Sequence, residues 1–402
     1  MNILFISLLD FNTIEVHNLY TDLLREFRNH GHNIFVVSPI EKRKNGETRI
    51  IEEENTLILK VRIGNIQKTN ILEKGISTIL LENQLIHGIK KYFAHVKFDL
   101  VLYPTPPITV VKAVKYIKKR DNARTYLLLK DIFPQNAVDL GMMKKTGVKG
   151  LIYKFFRNKE KKLYAVSDRI GCMSQANVNY ILRYNPEIEN SKVEISPNCV
   201  EVVDNSIDEN MRVSIKRKYG IPLDKVVFVY GGNLGKPQGI DFLIECIKSQ
   251  NCNNEVFFLV IGDGTEYTKL ESFVKDYFPN NMKLMKRLPK EEYDIMIEAC
   301  DIGMIFLDYR FTIPNFPSRL LSYMQAKLPV LACTDKYSDV GKVVEDGGFG
   351  WWCESNDLLE FNKKIEIIVK EKGRRTIGET GYQYLKEHYN VAKEYVNIMT
   401  NW

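Results

Sequence analysis

The 402-residue sequence has no apolar run approaching the ~20 residues of a membrane-spanning helix. Its first residues, MNILFISLLDF, lack a basic stretch and a small-residue cleavage site, so they are expected to be a first strand rather than a leader. Seven cysteines, at 172, 199, 246, 252, 300, 333 and 353, include no CxxC spacing. They are expected to be reduced core thiols of a cytoplasmic protein, neither a disulfide frame nor a metal site. There is no GK[ST] phosphate loop, no correctly spaced GxGxxG, no metal-binding DxD pattern and no hydrolase-type carboxylate pair. No Gly/Ser-rich linker divides the chain, which implies closely apposed domains.

What is present is an ordinary globular composition, 27% charged and 45% hydrophobic, in a chain long enough for two cores. The net charge of +7 is unevenly placed. Residues 1–200 hold 31 Lys/Arg and 20 Asp/Glu (+11), leaving 26 and 30 (−4) for the rest. The basic first half is expected to meet something anionic.

Along the chain, apolar strands alternate with helical periodicity, the pattern of parallel α/β sheets. Residues 2–8 and 33–38 are expected strands around a helix from Val16 to Gly31, which includes His17; residues 41–70 look like an excursion from the sheet. The predicted strand at 125–129 is followed by Lys130 and Asp131. Open α/β sheets place ligands at such carboxyl ends, so Asp131 is either an acceptor ligand or base, or a cap for a helix starting at Pro134. Residues 142–164 hold eight Lys/Arg and one Glu interleaved with aromatic and aliphatic residues. As a helix this segment suits an anionic lipid surface, with Lys154, Phe155, Phe156, Lys159, Lys161 and Lys162 facing it; the alternative is a core-packed helix with a solvated basic face. No nucleic-acid motif accompanies the basic residues.

The second half restarts the pattern. A strand at 226–230 leads into Gly231-Gly232-Asn233-Leu234-Gly235-Lys236-Pro237-Gln238-Gly239, a strand-to-helix turn that lets backbone approach a phosphate. A second tight turn is Gly262-Asp263-Gly264, and a third loop is Pro314–Arg319 by number, 314–319, where Ser318 is the expected helix cap and Arg319 a charged neighbour.

YGGNLGKPQGIDFLIE at 230–245, VIGDGTE at 260–266, RLPKEEY at 287–293 and NFPSRLLSYMQAKLPVLA at 315–332 resemble bacterial glycosyltransferase family 4, in particular the WbuB-type transferases of O-antigen and capsule pathways. LYTDLLREFRNHGHNIFVVSP and LLLKDIFPQNAVDLGM in the first half fit the same group. The resemblance implies the GT-B fold: two Rossmann-like doubly wound domains facing a central cleft, 1–203 for the acceptor and 204–380 for the nucleotide-sugar donor, with a helix at 381–402 packing back on the first. It implies metal-free, cofactor-free retaining transfer, with the donor phosphate taking the acceptor's proton.

Carried onto this sequence, Lys236 and Arg319 serve the diphosphate, joined by Gly232, Asn233, Gly235, Gly262, Asp263, Ser318 and Ser322. Arg287, Leu288 and Pro289 lie against the base. His17 and Asp131 lie on the acceptor side, though His17 also has a structural reading. The implied partners are a nucleotide-sugar, UDP first among the bases, a lipid-diphosphate-linked sugar acceptor, and the inner face of the cytoplasmic membrane; nucleic acid is not among them. Two glutamates found eight positions apart in many members are replaced by Pro314 and Ser322, and Lys327 replaces a usual glycine. A GT-B epimerase of UDP-N-acetyl sugars and a non-catalytic nucleotide-sugar-binding protein are the rival readings.

Overall fold

The computed structural model describes residues 1–66, 69–204 and 206–400. The chain divides into two units, Met1–Glu201 with Val391–Trp402, and Val202–Asn390.

The first unit is built on an eight-stranded sheet. Its strands are β1 (Asn2–Ile6), β2 (Asn33–Glu41), β3 (Arg49–Glu53), β4 (Thr56–Ile63), β5 (Leu100–Pro104), β6 (Arg124–Leu129), β7 (Arg169–Cys172) and β8 (Val193–Ile195). The order is β3-β4-β2-β1-β5-β6-β7-β8. Every pairing is parallel except that of edge strand β3 with β4. Central strands covered by helices on both faces must be apolar throughout, and β1 and β5 are buried along almost their whole length. The order reverses direction between β1 and β5, so the carboxyl ends of these strands flank a topological switch point.

Residues 41–70 are not an excursion. β4 extends the sheet in register beside β2, from Ile34↔Thr56 to Glu41↔Ile63. Lys60 hides this strand in the sequence because it interrupts an apolar run, yet it is fully buried. Its ammonium donates to the Phe11 carbonyl (2.7 Å) and Ser38 Oγ (3.2 Å) and pairs with Asp10. That anchor, with buried Phe11 and Ile14, pins the loop leaving β1.

The second unit holds a six-stranded parallel sheet. Its strands are β9 (Val226–Asn233), β10 (Val256–Asp263), β11 (Met282–Lys286), β12 (Ile302–Phe306), β13 (Val330–Thr334) and β14 (Gly350–Glu354). The order β11-β10-β9-β12-β13-β14 is that of a dinucleotide-binding domain, and its switch point lies between β9 and β12. The core packs Phe228, Phe258, Met304, Leu331 and Phe361 between this sheet and its helices. Residues 381–390 stay in this unit, and the chain rejoins the first at Val391. Helix Val391–Thr400 lays Ile398 into the first core and Tyr395 against Phe27 (5.0 Å between centroids).

Candidate active site

The three glycine-rich or proline-rich loops singled out in the second half meet at the carboxyl ends of β9, β10 and β12. β9 continues through Gly231 and Gly232 to Asn233 before the chain turns at Lys236–Gln238 into helix Ile240–Ser249. Gln238 organises this turn: its Oε1 accepts from Asn233 Nδ2 (3.0 Å) and from the Gly235 N–H (3.1 Å). The turn is joined to the Gly262–Gly264 loop by backbone. Leu234 N–H donates to the Asp263 carbonyl (3.0 Å), and Glu266 N–H to the Leu234 carbonyl (2.9 Å). A Cβ on Gly262 would collide with the Gly232 carbonyl oxygen, so glycine is required there. Gly232 itself has φ +119°, outside the range of ordinary residues.

Arg319 closes this surface. Its guanidinium carbon lies 4.2 Å from the centroid of the Tyr230 ring. A Cβ built on Gly232 would be 3.5 Å from Arg319 Nη2. Nη1 is buried and has no hydrogen-bond partner among the described residues. The surrounding groups that act on this charge are phenols, Tyr230, Tyr323 and Tyr293. Tyr323 Oη accepts from the Gly231 N–H (3.1 Å), Tyr230 Oη donates to the Asn233 carbonyl (3.0 Å), and Tyr293 hydrogen-bonds Tyr323. A buried cation without a counter-carboxylate, beside an exposed glycine backbone, is arranged for an anion.

The expected cap is corrected. Ser318 has helical angles (φ −63°, ψ −20°) and makes no side-chain cap hydrogen bond, and the helix it precedes, Arg319–Gln325, is only seven residues long. The loop before it is held otherwise. Asn315 N–H donates to Ser338 Oγ, which donates to buried Asp335 Oδ2, each at 2.9 Å. Burial pushes the Asp335 carboxyl up to about 6, opposed by hydrogen bonds from Ser338 and Tyr337. Ser322 is half-buried one turn along the helix. After the helix, Lys327 takes the left-handed conformation (φ +53°) that a glycine would take, and its ammonium pairs with Asp204 and Glu379 at 3.2 Å.

Lys236 and Asp263 are exposed around this surface. Arg287, Leu288 and Pro289 follow edge strand β11, whose Lys286 is in register with Gly262, so they border the same loops. Gln238, Tyr230, Tyr293 and Tyr323 were not singled out from sequence. The one sequence signal for them is the repeated placement of tyrosine beside the motif residues.

In the first unit, His17 precedes the first helix rather than lying in it: Asn18 is the cap of Leu19–Asn29 and accepts from the Tyr20 and Thr21 N–H groups. His17 Nδ1 lies 2.9 Å from Arg25 Nη2. The same nitrogen lies 3.3 Å from Asp22 Oδ1 and 3.6 Å from Glu201 Oε2, and the side chain is 54% exposed. Arg25 also binds Asp22 (2.6 Å), Glu201 (3.0 Å) and the Ile14 carbonyl (2.5 Å). His17, Asp22 and Glu201 are close enough together to hold a cation, but the Arg25 guanidinium already supplies the positive charge among them.

Asp131 does not cap the helix Gln135–Asp139, where Pro134 is the cap position. Both its oxygens accept from Asn136 Nδ2 (2.8 and 2.9 Å), and burial pushes its carboxyl up to about 6.

The segment expected on the membrane is helical from Gly147 to Val166, not from 142. Lys159 is tied to buried Glu82 (2.5 Å) and Lys161 to Glu187 (2.9 Å), so neither is the free cation expected. Phe156 is half-buried against Phe133 (5.1 Å). Lys154, Phe155 and Lys162 are exposed. Among the described residues, no helix is long and apolar enough to cross a membrane.

Two doubly wound α/β units, the second with a phosphate-suited switch point, have the architecture of the GT-B fold. HepE of Anabaena in complex with UDP and glucose has the same fold, with a TM-score of 0.72 at 15% identity, covering 100% of this chain and 98% of HepE. Residues 211–384 match the family Glycosyl transferases group 1. The chain is 24% identical over 333 residues to WbjE of Pseudomonas aeruginosa, named a probable glycosyltransferase, covering 82% of this chain and 80% of WbjE. It is 21% identical over 311 residues to WcaI of Escherichia coli K12, whose name assigns it to colanic acid biosynthesis, covering 75% and 74%.

Proposed function

We propose that this protein is a retaining transferase that moves an N-acetylated hexosamine or deoxyhexosamine from a UDP-sugar to a lipid-diphosphate-linked sugar in bacterial O-antigen or capsule synthesis. The observation that carries the donor half is Arg319, stacked on Tyr230 beside Gly232 with one guanidinium nitrogen buried and without a hydrogen-bond partner among the described residues. The similarity to HepE, solved with UDP and glucose, supports a UDP-sugar, and that to WcaI supports a polysaccharide pathway.

In this reading the diphosphate lies on the Gly231–Gly235 backbone between Lys236 and Arg319. Negative charge builds on its oxygens as the bond to the sugar breaks, and preorganised cations there stabilise the transition state. Gly262 and Asp263 border the donor. Arg287, Leu288 and Pro289 border the base, Ser318 joins Arg319 at the diphosphate, and Ser322 borders the donor where it and Pro314 supply no carboxylate to sugar or ribose. His17 and Asp131 orient the acceptor. No protein nucleophile, metal or cofactor is invoked. The acceptor is met at the inner face of the cytoplasmic membrane.

The deciding experiment incubates the protein with UDP-, GDP- and TDP-sugars and a prenyl-diphosphate-linked sugar. Acceptor-dependent release of UDP is the expected result. Interconversion of free donor without acceptor-dependent release assigns an epimerase instead, and binding without turnover assigns a nucleotide-sugar-binding protein.

A further inference from the structure

We propose that the first unit rests on an anionic bilayer through a platform of two parallel helices, Ile71–Tyr92 and Gly147–Val166, an inference that builds on the lipid-linked acceptor reading. The helices follow parallel strands β4 and β6, so both run back from the carboxyl end of the sheet. Glu82, only 2% exposed, links them: one oxygen accepts from Lys159 Nζ (2.5 Å), and the other from the Lys112 N–H (2.8 Å).

One to two turns nearer the start of each helix, the apolar residues come to the surface. Ile76, Ile79 and Leu80 are 60%, 65% and 46% exposed; Leu151, Ile152 and Phe155 are 66%, 50% and 46% exposed. At 3.6 residues per turn, Ile79 lies ~60° around its helix from Glu82, and Ile152 and Phe155 lie within ~40° of Lys159. Ile79, Ile152 and Phe155 therefore border the seam that the Glu82–Lys159 pair closes, with Leu151 ~80° from Lys159 and Ile76 and Leu80 further round their helix. Exposed apolar side chains gathered in this way mark a docking surface rather than scattered surface leucines.

Charge selects the occupant. Arg157, Lys159 and Lys161 are neutralised by Glu160, Glu82 and Glu187. Lys144, Lys145, Lys154 and Lys162 remain exposed, with no ion-pair partner among the described residues. Apolar side chains fringed by unpaired lysines suit the headgroup region of an anionic bilayer, which offers an apolar interior and negative charge together. The platform also continues inward. Phe155 packs on Phe156 (5.2 Å) and Phe156 on Phe133 (5.1 Å), two residues beyond Asp131. A lipid-linked sugar would thus arrive beside the carboxylate proposed to orient it.

The test is co-sedimentation of the full chain with vesicles of phosphatidylglycerol and phosphatidylethanolamine, and with vesicles of phosphatidylcholine alone. Transfer to a water-soluble short-chain acceptor is measured in parallel. Wild type should bind the first vesicles and not the second. Ile79→Asp and Leu151→Asp should each bind about tenfold more weakly, with unchanged thermal melts and unchanged transfer to the soluble acceptor. Lys154→Gln should weaken binding, whereas Lys161→Gln, whose charge Glu187 already cancels, should not. Wild-type binding by Ile79→Asp would overturn the two-helix platform, as would equal binding to both vesicles. So would a lipid-independent dimer that Ile79→Asp dissociates, which assigns the face to a second copy. Vesicle binding without transfer from any donor would leave the platform standing and remove the transferase reading; transfer without vesicle binding would do the reverse.

Discussion

Arg319 is the residue on which the proposed donor site turns. Its guanidinium has phenols around it and no carboxylate to lose, so its removal subtracts charge from the site without stranding a buried anion. Arg319→Ala should lower the transfer rate by roughly 10²–10³ while leaving a cooperative melt, the scale seen when one preorganised oxyanion partner is removed. Lys236→Ala should lower the rate comparably with no change in melting temperature, because Lys236 is exposed. Initial rates of acceptor-dependent nucleotide release measure both, and near-wild-type rates would remove these residues from the diphosphate. Tyr323 acts one step back. Tyr323→Phe leaves the buried Gly231 N–H without its acceptor, which should cost about 1 kcal/mol in denaturant unfolding and raise the donor KM more than it lowers kcat.

Asp131 makes a pH prediction. Its carboxyl, ordinarily near 3.8, is pushed up to about 6 by burial, against the opposing hydrogen bonds from Ile132 and Asn136. Below 3.8 both folded and unfolded chains hold the proton; between 3.8 and about 6 only the folded chain does. Stability from this group therefore falls as pH rises through that window and is constant above it. If the carboxylate orients the acceptor, acceptor kcat/KM falls as pH drops through about 6. Asp131→Asn should be slow and lack that limb. Asp335 is pushed to the same range, so Asp335→Asn, which should retain the limb, is the control that assigns it.

At the scale of elements, the glycine-rich turn was legible because its geometry is written in residue type: glycines where backbone crowds backbone, and a lysine beside them. Its support was not legible. Tyr323 is 92 residues from Gly231, and only the pairing of β12 with β9 brings the helix after β12 beneath the turn. The short helix Arg319–Gln325 shows the opposite error. Serine before an apolar periodic run suggests a cap, yet the tight turn through Pro317 gives Ser318 helical angles and turns its hydroxyl away from that duty. The basic helix at 147–166 was legible as amphipathic, but which of its lysines are free was not. Glu82 and Glu187, distant in sequence, decide that. β4 was misplaced for a similar reason. A lysine in a strand looks like a surface residue until Asp10 and Ser38 arrive from other parts of the chain to bury it.

At the scale of the molecule, each sheet changes winding direction once, and candidate residues lie at strand carboxyl ends at or one strand from those changes: His17 after β1, Asp131 after β6, and the three loops after β9, β10 and β12. The chain's return to the first unit at Val391 carries a further prediction. Ile398 is buried in the first core, Tyr395 packs on Phe27 and stacks on His30 (3.9 Å), and Glu394 pairs with Ser196 while lying beside Lys130. Deleting residues 391–402 strips this cover. With about 1.5–3 kcal/mol for each large apolar side chain uncovered, it should lower the first unit's unfolding transition by several degrees or abolish it. The transition of the second unit, followed in the same calorimetric scan, should remain.

By itself the sequence determined the alternation of strand and helix, the division into two α/β halves and the three loops that suit a diphosphate. Those follow from periodicity and from glycine and proline, which act within a few residues of themselves. Only the tertiary structure decided that Arg319 is held over Tyr230, that Lys159 and Lys161 are spent on internal carboxylates, that Lys60 is buried and that His17 lies against Arg25. Charge pairing and aromatic stacking are contacts between residues far apart in the chain, and neither residue type nor spacing records which partner the fold will supply.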